Sequence, residues 1–165
     1  MLKQSGDTIL LVEDEEPAVL LVQQAVASCP GGLHLAVVPD SVSALDWLSA
    51  ETAHGHPVPR LILIDLKLPK LIGLAVLRTL RMDPRLEHVP IVVYSECHEP
   101  SDIVLAYQIG ANSFVRKPEN LAEFAQLMRD LIELGWLDED GMGKRTLSQT
   151  IPHGGANVVP GSERQ

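Results

Sequence analysis

The chain has 165 residues, which is enough for one ordinary domain with a hydrophobic core and few for two. Its 22 acidic and 13 basic residues give a net charge of −9, which argues against the basic surface that nucleic acids and anionic membranes attract. Hydrophobic residues make up 45% of the chain and aromatic residues only 4%, so we expect a globular protein with a mainly aliphatic core.

Cysteine usage and the N-terminus together predict a cytoplasmic protein. Cys29 and Cys97 lie far apart and neither has a CxxC partner, which is unlike an extracellular disulfide framework. The N-terminal stretch MLKQSGDTILLVEDEE contains an apolar run of only four residues, which an acidic run follows at once. We therefore expect neither a signal peptide nor a membrane span there.

Short apolar runs alternate along the chain with longer amphipathic segments. The runs predict five strands, over residues 9–12, 33–38, 61–64, 91–94 and 113–115. The amphipathic segments predict helices over residues 16–28, 41–50, 73–82, 101–109 and 120–134. The last helix has a start signal, because Glu123 follows the capping residue Asn120 by three positions.

Nearly continuous apolar strands, each followed by a helix, predict an α/β fold: a doubly wound, five-stranded parallel sheet covered on both faces. For a strand order of 2-1-3-4-5, the first and third strands are neighbours, and ligands of such sheets bind beyond their carboxyl ends. Glycines and prolines without an apolar period predict a flexible tail over residues 138–165, which leaves residues 8–137 as the folded domain.

Polar residues of particular kinds stand at the predicted strand ends. Asp14 follows strand one and Asp65 follows strand three, so the strand order brings these carboxylates together. Crowded carboxylates repel each other, and a Mg²⁺ ion, which binds oxygen ligands and keeps several waters, relieves that repulsion. Lys117 after strand five adds a positive charge for a phosphoryl group, and Ser95 after strand four adds a hydroxyl donor.

These residues together resemble the receiver domain of two-component response regulators, which has the flavodoxin-like sheet order expected here. The resemblance rests on the acidic pair before the first helix, DLKLPKLIG from Asp65 onward, the Ser95 position and Lys117-Pro118. The spacings of 30 residues from Asp65 to Ser95 and 22 from Ser95 to Lys117 fit the family pattern. The likeness covers about residues 8–135.

The resemblance implies that Asp65 is the phosphoacceptor and takes a phosphoryl group from a phosphohistidine of a sensor histidine kinase. Asp14, Asp65 and the backbone carbonyl of Lys67 would bind Mg²⁺ directly, and Glu13 would help through water. The family's proteins are signalling switches rather than enzymes, apart from self-catalysed dephosphorylation. By the same resemblance, Lys117 would pair with the phosphorylated aspartate.

The remaining implied roles concern the switch between two states. Ser95 would be drawn toward the phosphoryl oxygen, and Phe114 matches the family's switch aromatic, which turns inward as the hydroxyl residue moves. Phosphorylation would thereby alter the affinity for a partner or for a second copy of the chain.

A narrower resemblance points to phytochrome-associated, single-domain response regulators. It rests on the loop with SECHEPSD, the NSFVRKP strand and the ending ELGWL of the last helix. It implies a phytochrome-type photoreceptor kinase as partner, and a homodimer formed through helix four, strand five and helix five. Val104, Leu105 and Tyr107 on helix four are the surface contacts that we expect in such a dimer.

Two residues depart from the family pattern at the mouth of the site. Glu96 follows Ser95 where the family has a small residue, and Lys67 stands where neutral polar residues are common. We expect these two side chains to form an ion pair that slows both phosphotransfer and hydrolysis. The alternative is that Glu96 blocks phosphorylation, which would make the protein a degenerate receiver acting as an unphosphorylated protein-interaction module.

Other function classes fit less well. A phosphohydrolase with an aspartyl nucleophile carries a second aspartate two residues later, and this chain has Lys67 there. A flavodoxin-like cofactor binder needs a phosphate loop after strand one, and the run EDEE would repel a phosphate. His54 and His56 lie in a loop with no further ligand at metal-binding spacing, so a solvated loop is expected.

Overall fold

The structure is a computed structural model that describes residues 8–66, 70–96, 99–133 and 158–160. The six strands are β1 Thr8–Val12, β2 His34–Val38, β3 Leu61–Asp65, β4 Ile91–Ser95, β5 Ser113–Arg116 and β6 Val158–Pro160. The helices are α1 Glu16–Ala27, α2 Ser41–Ala53, α3 Lys70–Arg81, α4 Pro100–Ile109 and α5 Leu121–Glu133. In the part of the chain that is described, no helix is both long and apolar enough to cross a membrane.

The strands form a single sheet in the order β2-β1-β3-β4-β5-β6. The first five strands run parallel to their neighbours, so the predicted doubly wound order 2-1-3-4-5 is confirmed. Strands β1 and β3 are paired from Ile9 opposite Leu61 to Val12 opposite Ile64. The residues that follow these two strands are therefore brought to one edge of the sheet.

Strand β6 was not predicted. It pairs antiparallel with β5, from Ser113 opposite Pro160 to Val115 opposite Val158. It falls within residues 138–165, which the sequence analysis took as a flexible tail, and the division of the chain at residue 137 stays a prediction. Valine favours extended backbone and proline is tolerated in an edge strand, but three residues are too few to show periodicity.

Two hydrophobic cores, one on each face of the sheet, explain the apolar strands. Leu10, Ile62 and Val93 pack on one face with side chains of α2, α3 and α4. Alternate residues, such as Leu11 and Leu63, pack on the other face with α1 and α5. Every residue of β1, β3 and β4 is buried, so a polar side chain at the end of one of these strands has apolar neighbours.

The observed helix ends differ from the predicted ones by a few residues. Helix α3 begins at Lys70 rather than at residue 73, and α2 continues to Ala53 rather than ending at residue 50. The capping signal of α5 is confirmed, because the Asn120 side chain accepts a hydrogen bond of 2.9 Å from the Glu123 N–H.

Gly73 fixes how closely α3 approaches the end of β3. A Cβ atom at this position would lie 2.6 Å from Leu66 Cδ1 and 2.9 Å from Leu66 Cα. Real contacts are never so short, and Leu66 follows Asp65 directly. The glycine therefore lets the helix pack against the backbone that positions Asp65.

We predict that Gly73→Ala lowers the free energy of unfolding by about 1–2 kcal/mol, because the steric cost exceeds the gain in helix propensity. Urea denaturation measures the change. Ala75→Gly, at an exposed position of the same helix, calibrates the propensity contribution. A Gly73→Ala protein more stable than the wild type would contradict the close packing.

Candidate functional site

The predicted site residues meet at the carboxyl edge of the sheet. Glu13 directly follows β1, Asp65 is the last residue of β3, Ser95 is the last residue of β4 and Lys117 directly follows β5. Backbone hydrogen bonds join these ends, since the Lys117 N–H donates to the Ser95 carbonyl at 2.8 Å. Side chains that are up to 104 residues apart in sequence (Glu13 to Lys117) thus share one small region.

Asp65 and Lys117 are in direct contact. The Lys117 Nζ atom lies 3.3 Å from Asp65 Oδ2, and only 10% and 4% of the two side chains are exposed. A charge-assisted hydrogen bond in so dry a setting is stronger than a surface ion pair. The contact holds the carboxylate at the opening of the site.

The Asp65 carboxyl has a strongly perturbed acidity. Burial raises its pKa from 3.8 to about 7, and a hydrogen bond with Glu13 and the negative charge of Glu13 add to this effect. Lys117 acts in the opposite direction. The carboxyl group that lies close to Asp65 at the ends of β1 and β3 is therefore that of Glu13, whereas the sequence analysis expected Asp14 there.

Both carboxylate oxygens of Glu13 have donors in the protein. The Glu15 N–H donates to Oε1 at 3.0 Å, and the Tyr94 hydroxyl donates to Oε2 at 2.7 Å. Glu13 is only 3% exposed and Tyr94 is fully buried. Burial raises the Tyr94 pKa far above its ordinary value, and the negative charge of Glu13 adds to that shift.

Sequence analysis missed Tyr94, which it treated as the end of a core strand. A signal was present, because a buried tyrosine hydroxyl needs a partner and this chain has two tyrosines. Its ring also packs edge-on against Phe124, with centroids 6.1 Å apart, and lies 5.7 Å from Lys117 Nζ. Tyr94 therefore contacts Glu13 through its hydroxyl and Lys117 through its ring.

Lys117 has further carboxylates near it. Its Nζ atom lies 3.8 Å from Glu15 Oε2 and 3.9 Å from Glu96 Oε1. The ion pair that we predicted for Glu96 involved Lys67, which lies outside the residues that the structure describes. The cation that the structure places beside Glu96 is Lys117, the same lysine that contacts Asp65.

Ser95 is the last residue of β4, and Phe114 packs in the core formed with α2, α3 and α4. The buried Ser95 hydroxyl donates to the Leu66 carbonyl at 3.1 Å. Phe114 is 1% exposed, and its N–H donates to the Tyr107 hydroxyl at 3.1 Å. This hydrogen bond connects α4 to β5.

Two of the three α4 residues that were expected at the surface are exposed, and their contact in a dimer stays a prediction. Val104 is 54% and Leu105 40% exposed, whereas Tyr107 is 8% exposed. Tyr107 was wrongly predicted to be a surface residue. Its hydroxyl reaches the backbone of β5, which a helical repeat cannot reveal.

The donor set suits a hard divalent cation. Glu13 and Asp65 present oxygens in a desolvated setting, Asp14 is exposed beside them, and the carbonyl of Lys67 lies outside the described residues. Within the described ranges, no three His, Cys, Asp or Glu side chains converge as a metal cage. Mg²⁺ does not require one, since one or two carboxylates with waters suffice.

A groove opens beside Lys117. Its volume is about 430 Å³, and it runs between the start of α1 and the segment that joins β5 to α5. Pro17, Leu21 and Phe124 give it an apolar wall, while Glu15 and Glu96 line it near the lysine. The groove therefore lies next to the lysine that contacts Asp65.

Comparisons with known proteins agree with this fold. A family model described as the response regulator receiver domain matches residues 9–129. Response regulator Rcp1 of Synechocystis sp. is 32% identical over 131 residues, which are 79% of this chain and 88% of Rcp1.

Solved structures of similar proteins include two response regulators. The Mn²⁺-bound form of response regulator Rcp1 has a TM-score of 0.65 and 31% identity, covering 80% of this chain and 95% of that one. The phosphorylated cyanobacterial phytochrome response regulator RcpA has a TM-score of 0.66 and 34% identity, covering 79% and 94%.

The raised pKa of Asp65 predicts a pH-dependent stability in the presence of EDTA. Because the folded state binds this proton more tightly, the contribution is fully present below the unfolded pKa of 3.8 and is lost as pH rises to about 7. Asp65→Asn should abolish this loss and be more stable than the wild type near pH 8.

Urea denaturation across this pH range measures the difference. Asp46→Asn, at an exposed position of α2, serves as the matched control and should keep the wild-type slope. If the stability of Asp65→Asn depended on pH as the wild type does, the raised pKa of Asp65 would be contradicted.

Proposed function

The chain belongs to the response regulator receiver domain family, and on that premise we propose that it is a single-domain response regulator phosphorylated on Asp65. The phosphoryl donor is a phosphohistidine of a sensor histidine kinase. The observation that carries the proposal is the 3.3 Å contact between Asp65 and Lys117 at the carboxyl edge of the sheet. A similar protein, RcpA, has been crystallised in a phosphorylated form.

The chemistry is a phosphoryl transfer to a carboxylate. An Asp65 oxygen forms a bond to phosphorus while the bond from phosphorus to the kinase imidazole breaks, and the imidazole nitrogen keeps the electron pair. Lys117 stays within reach of the new phosphoryl oxygens and offsets their charge. The Ser95 hydroxyl then exchanges the Leu66 carbonyl for a phosphoryl oxygen, while Phe114, the aromatic residue expected to turn inward, is already buried in this structure.

A divalent cation completes this site. We propose that Asp14, Asp65 and the backbone carbonyl of Lys67 bind Mg²⁺, with Glu13 holding a coordinated water. The bound ion would supply positive charge against the carboxylates and the incoming phosphoryl group. The Mn²⁺-bound form of Rcp1 supports a divalent cation in a related protein.

We also propose the partners of this switch. The similarity to the phytochrome response regulator RcpA favours a phytochrome-type kinase, which acts in the cytoplasm and reaches Asp65 through the groove beside Lys117. A homodimer would use α4, β5 and α5, where Val104 and Leu105 are exposed. Since β6 covers the outer edge of β5, the helices would make most of that contact.

The first test is phosphorylation by a small donor. We expect acetyl phosphate with Mg²⁺ to add one phosphoryl group to the wild-type chain, detected by intact mass, and EDTA to prevent it. Asp65→Asn should remain unmodified, because the attacking oxygen is gone. An unmodified wild type would favour the degenerate receiver, whereas modification of Asp65→Asn would place the acceptor elsewhere.

The second test concerns Glu96, whose carboxylate competes with a phosphoryl group for Lys117. We expect Glu96→Ala to speed both phosphorylation and hydrolysis, by no more than about five-fold, because an exposed ion pair contributes only about 0–1 kcal/mol. The decay of the phosphorylated protein and its rate of formation give the two numbers.

Two further variants complete the comparison. Glu119→Ala is the matched control, since Glu119 lines the same groove but pairs with Arg116 at 3.3 Å. Lys67→Asn tests the ion pair that the sequence predicted. Rates for Glu96→Ala that equal those of Glu119→Ala would show that Glu96 does not restrain Lys117.

A further inference from the structure

Tyr94 joins two strands that are not neighbours in the sheet. Its backbone belongs to β4, yet its hydroxyl reaches Glu13 at the end of β1, although β3 lies between those strands. The backbone of Tyr94 is paired with Asp65 itself. The side chain therefore passes the phosphoacceptor position and ends on an acidic residue beyond it.

The hydrogen bond between Tyr94 and Glu13 is held in place by its buried surroundings. Tyr94 is completely buried and Glu13 nearly so, and the O–H···O distance of 2.7 Å is that of a strong hydrogen bond to a carboxylate. The ring cannot turn away, because it packs edge-on against Phe124 within the core formed with α1 and α5. A rigid aromatic side chain thus sets where Glu13 Oε2 lies.

The second oxygen of Glu13 is fixed independently by the Glu15 N–H. With both oxygens held, the carboxylate has one orientation before any cation arrives. Groups that orient metal-binding carboxylates in this way raise metal affinity, because the ligand need not be ordered during binding.

We propose that Tyr94 is a positioning residue for the divalent cation site and acts through its hydroxyl on Glu13. The inference rests on the proposed function, since it assigns Glu13 to the cation, but it concerns binding of the ion and not phosphotransfer. Tyr94 itself touches neither the cation nor the phosphoryl group.

The test is Mn²⁺ binding to the full chain, followed by the electron paramagnetic resonance signal of the free ion. Tyr94→Phe keeps the ring contacts with Phe124 and Lys117 and removes the hydroxyl alone. We expect it to weaken Mn²⁺ binding about ten-fold, at the lower end of the effects known for such orienting groups.

Tyr107→Phe is the matched control. It also removes a buried tyrosine hydroxyl that has a hydrogen-bond partner, the Phe114 N–H, but on the other face of the sheet. Mn²⁺ affinity should be unchanged in this variant. Urea denaturation in EDTA gives the stability of both variants, so a general loss of stability is distinguished from a loss of affinity.

A double-mutant cycle tests whether the Tyr94 hydroxyl affects Mn²⁺ binding through Glu13. Glu13→Gln should weaken Mn²⁺ binding, and adding Tyr94→Phe to it should have no further consequence. Four outcomes would overturn the proposal. Two concern the single variants: wild-type Mn²⁺ affinity in Tyr94→Phe, or an equal loss of affinity in Tyr107→Phe. The other two are an additive loss in the double variant and no Mn²⁺ binding by the wild-type chain.

The outcome is separable from that of the proposed function. Wild-type protein that accepts a phosphoryl group while Tyr94→Phe retains full Mn²⁺ affinity contradicts only the role of Tyr94. Mn²⁺ binding that depends on Tyr94, without phosphorylation by acetyl phosphate, contradicts only the transfer to Asp65.

Discussion

The placement of a carboxylate at the end of a fully buried strand constrains the rest of this structure. Asp65 follows four side chains that are not exposed at all, and Glu13 lies beside it. Two acids in so dry a setting oppose each other's ionisation, which is why Asp65 holds its proton to about pH 7. Lys117 offsets part of this effect, because its positive charge lowers the pKa of Asp65. The close approach at Gly73 and the hydrogen bonds between strand ends hold the arrangement in place.

The strands, the helices and the polar residues at the strand ends follow from local sequence patterns, whereas the sheet order came from the fold class and the residue roles from the family resemblance. Short runs of three to six residues predicted the five parallel strands, and the rule that ligands bind at the carboxyl ends placed Asp65, Ser95 and Lys117 together. The start of α3 and the strand β6 escaped this reasoning for physical reasons. Helix α3 starts with residues that carry no distinctive period, and β6 has three residues whose partner lies more than forty positions away.

Side-chain contacts across the sheet were the hardest to foresee. Tyr94 read as a core residue, because nothing in the spacing of residues 13 and 94 indicates that a ring spans an intervening strand. Tyr107 read as a surface residue on a helix that is apolar on several sides. The sequence showed that Glu96 is unusual for the family. It could not show that Lys117 is the residue beside Glu96, because that contact arises only when the strand ends converge in the folded protein. Sequence therefore indicated which positions matter and the structure showed which atoms meet.

Strand β6 bears on how the protein behaves at high concentration. An unpaired strand at the edge of a sheet can template pairing with other chains and so promote aggregation. On the β5 side of this sheet, β6 fills that position, and its last residue, Pro160, has no N–H with which to extend the ladder. The three residues of β6 thereby cover the outer edge of β5, away from the carboxyl ends of the strands where Asp65 lies.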